Sequence, residues 1–371
     1  LKRWLRRIFR LAFGAFILLF LVIAVEIAIG WRCTLQGQIH PPVQQPPERK
    51  ASISAIKNYP RPEDDTFLSY PEWYIVWSYQ EKADFQQYHL PSRFPYFGAV
   101  RQYWSGYCCI SRLISGKYAF NGGEQLMLVV IGSSFSAEYI LKGAYENTVG
   151  RLSEWSSNHE PTEEDQFAYK VARQYADFVH IRPFYEFHFA RQVKGLWNET
   201  PLFGAHPMRK WERKLFLTTD YTIEALYCWL IERMTHLTYG SEPSDTYAWI
   251  DHANQAILER TAGVTLMKQV TSNAFIVDIP RYQEFTTTAQ ILAEQGIQFV
   301  EIAGNSQILV SVLAPQSWRY DGPEAQQIFS SAVLTDSKMQ RVVLRCDVPS
   351  LSSLLDALHS RGLTVEHIYD Y

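Results

Sequence analysis

The chain lacks the signatures on which most catalytic and scaffold assignments rest. It has 5 cysteines among 371 residues: Cys33, Cys108, Cys109, Cys228 and Cys346. The number is odd and no C-x-x-C pair occurs, which argues against a disulfide framework and against a zinc site. The adjacent Cys108 and Cys109 are expected to be small core residues. No phosphate-cradling glycine loop, dinucleotide fingerprint or nucleophile elbow is present, and the stretch IGSSFS at 131–136 lacks the closing glycine of the last of these. No cofactor is therefore expected. Charged residues make up only 20% of the chain and the net charge is −3. Lys2, Arg3, Arg6, Arg7 and Arg10 crowd the positive charge into the first ten positions, so the remainder is acidic and no nucleic-acid partner is expected.

What is abundant is apolar and aromatic surface. Hydrophobic residues reach 47% and aromatics 15%, enough for a large core or for work near a membrane interface. Residues 11–25 carry no charge, and with Glu26 as the single interruption the apolar run extends to 31. Twenty-one residues of helix span about 30 Å, the thickness of the hydrocarbon layer. Positive charge before the span and little after it orient the segment by the positive-inside rule. The reading is a basic cytoplasmic segment (1–10), one transmembrane helix (11–31), a Pro-rich linker (32–65) that sets the body off from the bilayer, and an exported body. The location expected is a bacterial inner membrane, single-pass, with the body in the periplasm. The competing reading of the same segment is a cleaved signal peptide. The apolar run 126–137 is short, and a buried core helix is expected there.

From 66 to 265 the apolar period is helical, giving a mostly α-helical, aromatic-rich domain. One helix runs from about Pro95 to Gly116, with Val100, Trp104, Tyr107, Ser111 and Ile114 on its inner face and Gly116 as its left-handed cap. A second covers 126–152 with Ile131, Phe135, Leu141, Tyr145, Val149 and Leu152 as its core stripe. Thr162 and Asp165 form a capping box for the next. A helix over 220–239 is expected to turn Ile223, Leu226, Tyr227, Leu230, Ile231 and Met234 inward, and a last one covers 245–261. Residues 270–371 read instead as strands and helices. Two strand–helix–strand units match, with Asp278-Ile279-Pro280 corresponding to Asp347-Val348-Pro349 and Gly296 to Gly362. Two such units sharing one sheet give a ferredoxin-like α+β domain. Residues 297–315 are expected to form a hairpin and 323–334 a short helix.

The candidate chemistry is sparse. Glu138, Glu146 and Glu224 lie in apolar helices, and Glu138 and Glu224 are spaced to meet across a helix pair, where burial raises a carboxyl pKa. Their ordinary partners are Lys142, Arg233 or water. His236 stands four residues after Glu232, a spacing for two ligands to one ion, and His180, Glu186 and His188 would share one side of a strand. Neither group has the spacing of a strong metal motif, and no metal is expected. The basic run RKWERK (209–214) reads as a solvated first turn or a headgroup contact. In SYPEWY, Ser69 and Glu72 have the capping-box spacing, Pro71 falls in the first turn, and Leu68 and Trp73 form a staple. The cap therefore outweighs a catalytic role for Glu72, and the aromatics read as core. The resulting expectation is a membrane-anchored, non-enzymatic interaction or assembly module whose partners are the bilayer and another protein or a second copy. The alternative is an enzyme or sensor that holds an apolar small molecule among Glu138, Glu224 and His236.

Overall fold

The computed structural model describes residues 65–118, 120–238 and 245–370, together with scattered positions between Gly14 and Cys33. The expected span 11–31 and linker 32–65 otherwise lie outside the described residues. The protein is α+β, with a helical region followed by antiparallel sheets. The helices are α1 (Asp65–Gln86), α2 (Tyr96–Ile114), α3 (Gly122–Tyr145), α4 (Arg151–Ser156), α5 (Glu163–Val179), α6 (Phe189–Glu199) and α7 (Pro207–Thr238). A π turn over Glu146–Gly150 joins α3 to α4, so that Gly122–Ser156 is one continuous helix. By length and composition it is the described helix able to cross a membrane. The capping box of α5 forms as its sequence predicts, with Asp165 N–H donating to the Thr162 hydroxyl and Thr162 N–H to the Asp165 carboxylate.

Helix α1 corrects the expected cap. It is already helical at Asp65, so Ser69 is not its N-cap; the Ser69 hydroxyl donates to Thr66 O at 3.0 Å. Pro71 therefore sits inside the helix, where it removes one backbone donor. Tertiary contact outweighs the local signal. The Thr66 hydroxyl donates to Tyr369 O at 2.7 Å, and Phe67, Leu68 and Tyr70 are buried. The aromatic run is core as expected. Tyr70 packs edge-on against Phe329, Trp73 stacks on His367 at 3.6 Å, and Trp77 lies under Arg341. Each buried ring contributes about 1.5–3 kcal/mol relative to exposure.

Beyond α7 come β1 (Asp245–Asp251), a single turn α8 (Gln255–Leu258), β2 (Thr265–Gln269), β3 (Phe275–Pro280), α9 (Gln283–Glu294) and β4 (Gln298–Ile302). There follow β5 (Gln307–Pro315), β6 (Ala325–Ala332), β7 (Met339–Asp347), α10 (Leu351–Ser360) and β8 (Thr364–Ile368). The expected helix over 245–261 is thus mostly strand. Thr246, Ala248 and Ile250 are buried while Tyr247 and Trp249 face the other way, a period of two. The sheet part accordingly begins at Asp245. The expected short helix over 323–334 is strand β6.

The two matched units do not share a sheet. Each closes its own, in the orders β2-β3-β1-β4 and β6-β7-β5-β8. β1 pairs antiparallel with both β3 and β4, and β5 does the same with β7 and β8. The strand that opens each unit thereby separates the strands of its own strand–helix–strand pair. The repeat is real, and the single ferredoxin-like sheet is replaced by a duplicated four-stranded one. β4 and β5 are not hairpin partners, because they belong to different sheets. One apolar core joins both sheets to α9 and α10, which lie between them. The opposite face of the second sheet, through Leu309, Val343 and Tyr369, packs on the helical region.

Cys33 and Cys108 form a disulfide, and Cys109, Cys228 and Cys346 are free thiols. Parity of the total count says nothing about a single pair, which is why the sequence argument missed it. A Cβ placed on Gly30 would collide with the Trp104 ring. The end of the expected span is therefore fastened to α2.

Candidate functional site

Glu138 and Glu224 do meet, and Lys142 joins them. Helix α3 runs antiparallel to α7, which brings the turn holding Glu138 and Lys142 against the turn holding Asp220 and Glu224. The Lys142 ammonium lies 2.8 Å from Glu138 Oε1, 3.0 Å from Asp220 Oδ1 and 3.2 Å from Glu224 Oε1. It donates hydrogen bonds to Glu138 and Glu224 and pairs by charge with Asp220. The Tyr79 hydroxyl donates to Glu138 Oε2 at 2.6 Å. Lys82 enters from α1 with its ammonium 5.9 Å from the Tyr96 ring centre and 5.8 Å from that of Tyr139, within cation–π range. The cavity bounded by these groups, Tyr175 and Tyr221 measures about 60 Å³. That holds a few waters and falls well short of the roughly 300–1,000 Å³ of a small-molecule site.

The electrostatics separate the two glutamates. Burial pushes Glu224 up to about 7, and although Lys142 opposes this, the charges of Glu138 and Asp220 add to it. Burial acts on Glu138 in the same sense, yet Lys142 and Lys82 together hold its carboxyl below the usual range. Lys142 is raised well above the ordinary lysine value, because its three carboxylates outweigh burial. Lys82 is lowered by burial and by the charge of Lys142. The cluster can hold one proton on Glu224 near neutral pH. Both carboxylates are committed to one lysine, so neither faces a vacant substrate position as an acid–base pair would.

One turn away stands a second ionic assembly that sequence reasoning read the other way round. The run at 209–214 is neither solvated nor outward. Arg209, Lys210, Arg213 and Lys214 are all buried. Their spacing places them on one side of α7, turned toward Glu146, Glu154, Glu164 and Asp165, which are buried as well. Arg209 reaches Asp165 at 2.6 Å, Arg213 reaches Glu146 at 2.8 Å, and Lys210 lies 3.1 Å from Glu164. Trp211 and Leu215 are left on the outer side.

The other predicted residues are not brought to the cavity. His236 is twelve residues past Glu224 on α7, about 18 Å along the helix, and its side chain is outside the described residues. Glu72 is exposed on α1. His180, Glu186 and His188 share no strand. His180 ends α5 and contacts Ala176 O, Glu186 lies in a 3₁₀ turn beside Arg182, and His188 precedes α6. Among the described residues no three His, Cys, Asp or Glu side chains are grouped to hold a metal ion. Asp220 and Lys82 were missed. Asp220 stands four residues before Glu224, the one signal that would have linked it to the same face. Lys82 gave no local sign, since α1 delivers it by tertiary packing. No family model, no curated protein and no solved structure matches the chain.

Proposed function

We propose that the protein is a membrane-anchored, exported module that acts through protein–protein contact. Residues 11–31 are its single span, residues 1–10 stay in the cytoplasm, and the body stands in the periplasm of a bacterial cell. The Cys33–Cys108 bond is the observation that carries this reading. Disulfides persist in oxidising compartments, and this one fastens the end of the apolar segment to the folded body. The layers then follow in order from the anchor: helical region, second sheet, helix pair α9–α10, first sheet. The outer face of the first sheet carries half-buried Tyr247 and Trp249 beside Ile276, with Asp278 on β3, whose carboxyl burial and Asp245 push up to about 6. Aromatic residues held on a rigid sheet suit a protein partner or a second copy. The enzyme or sensor alternative needs a cavity several times larger than the one between α3 and α7.

The test is isolation of the full chain from membranes in a mild detergent, followed by cross-linking and sizing. A complex or oligomer that Trp249→Ala weakens is expected. A strictly monomeric, partner-free preparation would overturn the reading.

A further inference from the structure

We infer that the paired outer faces of α3–α4 and α7 are seated in the bilayer interface, against lipid acyl chains. This deepens the membrane reading above and rests on it for the nearness of the body to a bilayer. The motivating feature is an inversion of charge. Between Met208 and Leu230 every exposed position of α7 is uncharged, while Arg209, Lys210, Glu212, Arg213, Lys214, Asp220 and Glu224 all turn inward. A water-facing helix has the opposite arrangement. On α7, Leu215, Leu226 and Trp229 are 59%, 64% and 53% exposed; on the neighbouring helix Leu141, Leu152 and Trp155 are 51%, 54% and 62% exposed.

The two stripes form one surface. Pairing of Lys142 with Asp220, stacking of Tyr145 on Phe216 and the bond from Ser153 to Glu212 keep the helices side by side and antiparallel. At 100° per residue, each helix presents in the same rotational order its exposed stripe, its partner helix and the core. For antiparallel neighbours that order opens both stripes to the same side. About 22 residues of α7 give a length near 33 Å, and two helices of about 10 Å diameter give a width near 20 Å. The area, on the order of 600 Å², is at the upper limit for the largest apolar patch of a soluble monomer.

Lipid is the occupant favoured by three observations. The apolar segment ends on α2, the helix packed beside α3, because Cys33 is bonded to Cys108 and Gly30 lies against Trp104, which donates to Ser136 on α3. Charge is confined to the margins of the stripe, at exposed Arg151 and at Glu232 and Arg233 past Leu230, with Arg233 lying over Trp229, where long cationic side chains reach headgroups. Trp155 and Trp211 stand at one end and Trp229 at the other, the side chain most enriched where hydrocarbon meets headgroups. The pair lies along the membrane and not across it, since α5 and α6 on its far side expose ion pairs such as Lys170–Glu199.

The experiment places a benzophenone amino acid, one site at a time, at Ile17, Leu141, Leu226 and Lys170 of the full chain. Each protein is reconstituted in phosphatidylcholine–phosphatidylglycerol vesicles with tagged acyl chains and irradiated. Only preparations with the Cys33–Cys108 bond intact are compared. Lipid adducts at Leu141 and Leu226, at least tenfold above Lys170, are expected. Adducts at Ile17 with none at Leu141 and Leu226 would overturn the inference and leave the anchor standing. The reverse pattern would keep the inference and remove the anchor. Dimer-sized products at Leu226 without lipid adducts would assign the face to a second copy and refute the lipid reading, and adducts at none of the four sites would refute both.

Discussion

Replacement of Glu224 by glutamine should stabilise the protein, increasingly as pH rises from 4.5 to 7. Glu224 is held at about 7 in the folded state against 4.5 for an ordinary glutamate. The folded protein therefore binds this proton more tightly than the unfolded chain. Between pH 4.5 and 7 the native state keeps a proton that the unfolded state has released, so stability falls as pH rises through that window and then levels off. The shift corresponds to about 3 kcal/mol, and the side chain is only 18% exposed, so solvent screening removes little of it. Glutamine keeps the shape of the neutral carboxyl and cannot ionise. Glu224→Gln should match the parent near pH 4 and exceed it by up to about 3 kcal/mol at pH 8, while Glu138 and Asp220 continue to neutralise Lys142. Glu138→Gln should do the opposite. That carboxyl is held low by two lysines, so its loss should destabilise at pH 8 and matter less as pH falls below 4.5. Urea unfolding of the three proteins in mild detergent at pH 4 and pH 8 measures both effects. A Glu224→Gln protein that gains nothing between the two pH values, or is weaker at pH 8, would refute the assignment of the shared proton.

Three further outcomes follow from the packing. Cys33→Ser releases a loop spanning 75 residues, for which chain entropy gives a loss of about 4 kcal/mol; a reductant should lower the melting temperature of the parent to that of the variant and leave the variant unchanged. Gly143→Ala would bring a Cβ to 2.8 Å from Tyr96 Cβ, an atom next to the backbone that cannot swing aside. A loss of about 1–3 kcal/mol is expected in denaturant unfolding. Arg213→Met strips the buried Glu146 of its 2.8 Å partner, and unfolding should register a loss of about 3–5 kcal/mol.

Periodicity made several elements legible. The inner face of α2 is as read, since Val100, Trp104, Tyr107, Ser111 and Ile114 are all buried, and the Thr162 box forms. The duplicated Asp–apolar–Pro and glycine positions disclosed an internal repeat. What periodicity did not reveal is how strands pair over a distance. The pattern of β1 to β4 is the same whether a unit shares a sheet with its twin or closes one alone, and only register distinguishes the two. The capping signal at Ser69 was locally sound, but the helix is extended upstream by the contact of Thr66 with Tyr369, 303 residues away. Glu138 and Glu224 were found because apolar neighbours mark a buried carboxylate. Lys82 was not found, because nothing near it in sequence reveals which helix it faces.

The largest misreading concerns α7, and it is instructive because the period was correct. Ile223, Leu226 and Leu230 do lie on one face, but that face is exposed, as are Leu141, Val149 and Leu152 on the neighbouring helix. An amphipathic pattern divides a helix into two sides; it does not say which side meets water. The usual assignment assumes that charges seek solvent. Here the cations at 209, 210, 213 and 214 arrive opposite four buried carboxylates from the π turn, α4 and α5, and burial of paired charge is tolerated when hydrogen bonds are supplied with it. Once the polar side is satisfied internally, the apolar side has nowhere to go but out. In water that arrangement forfeits the burial of large side chains such as Leu226 and Trp229, about 1.5–3 kcal/mol each. Against acyl chains the same contacts are recovered, so the fold and the proposed lipid seat of α3–α4 and α7 would follow from one distribution of charge.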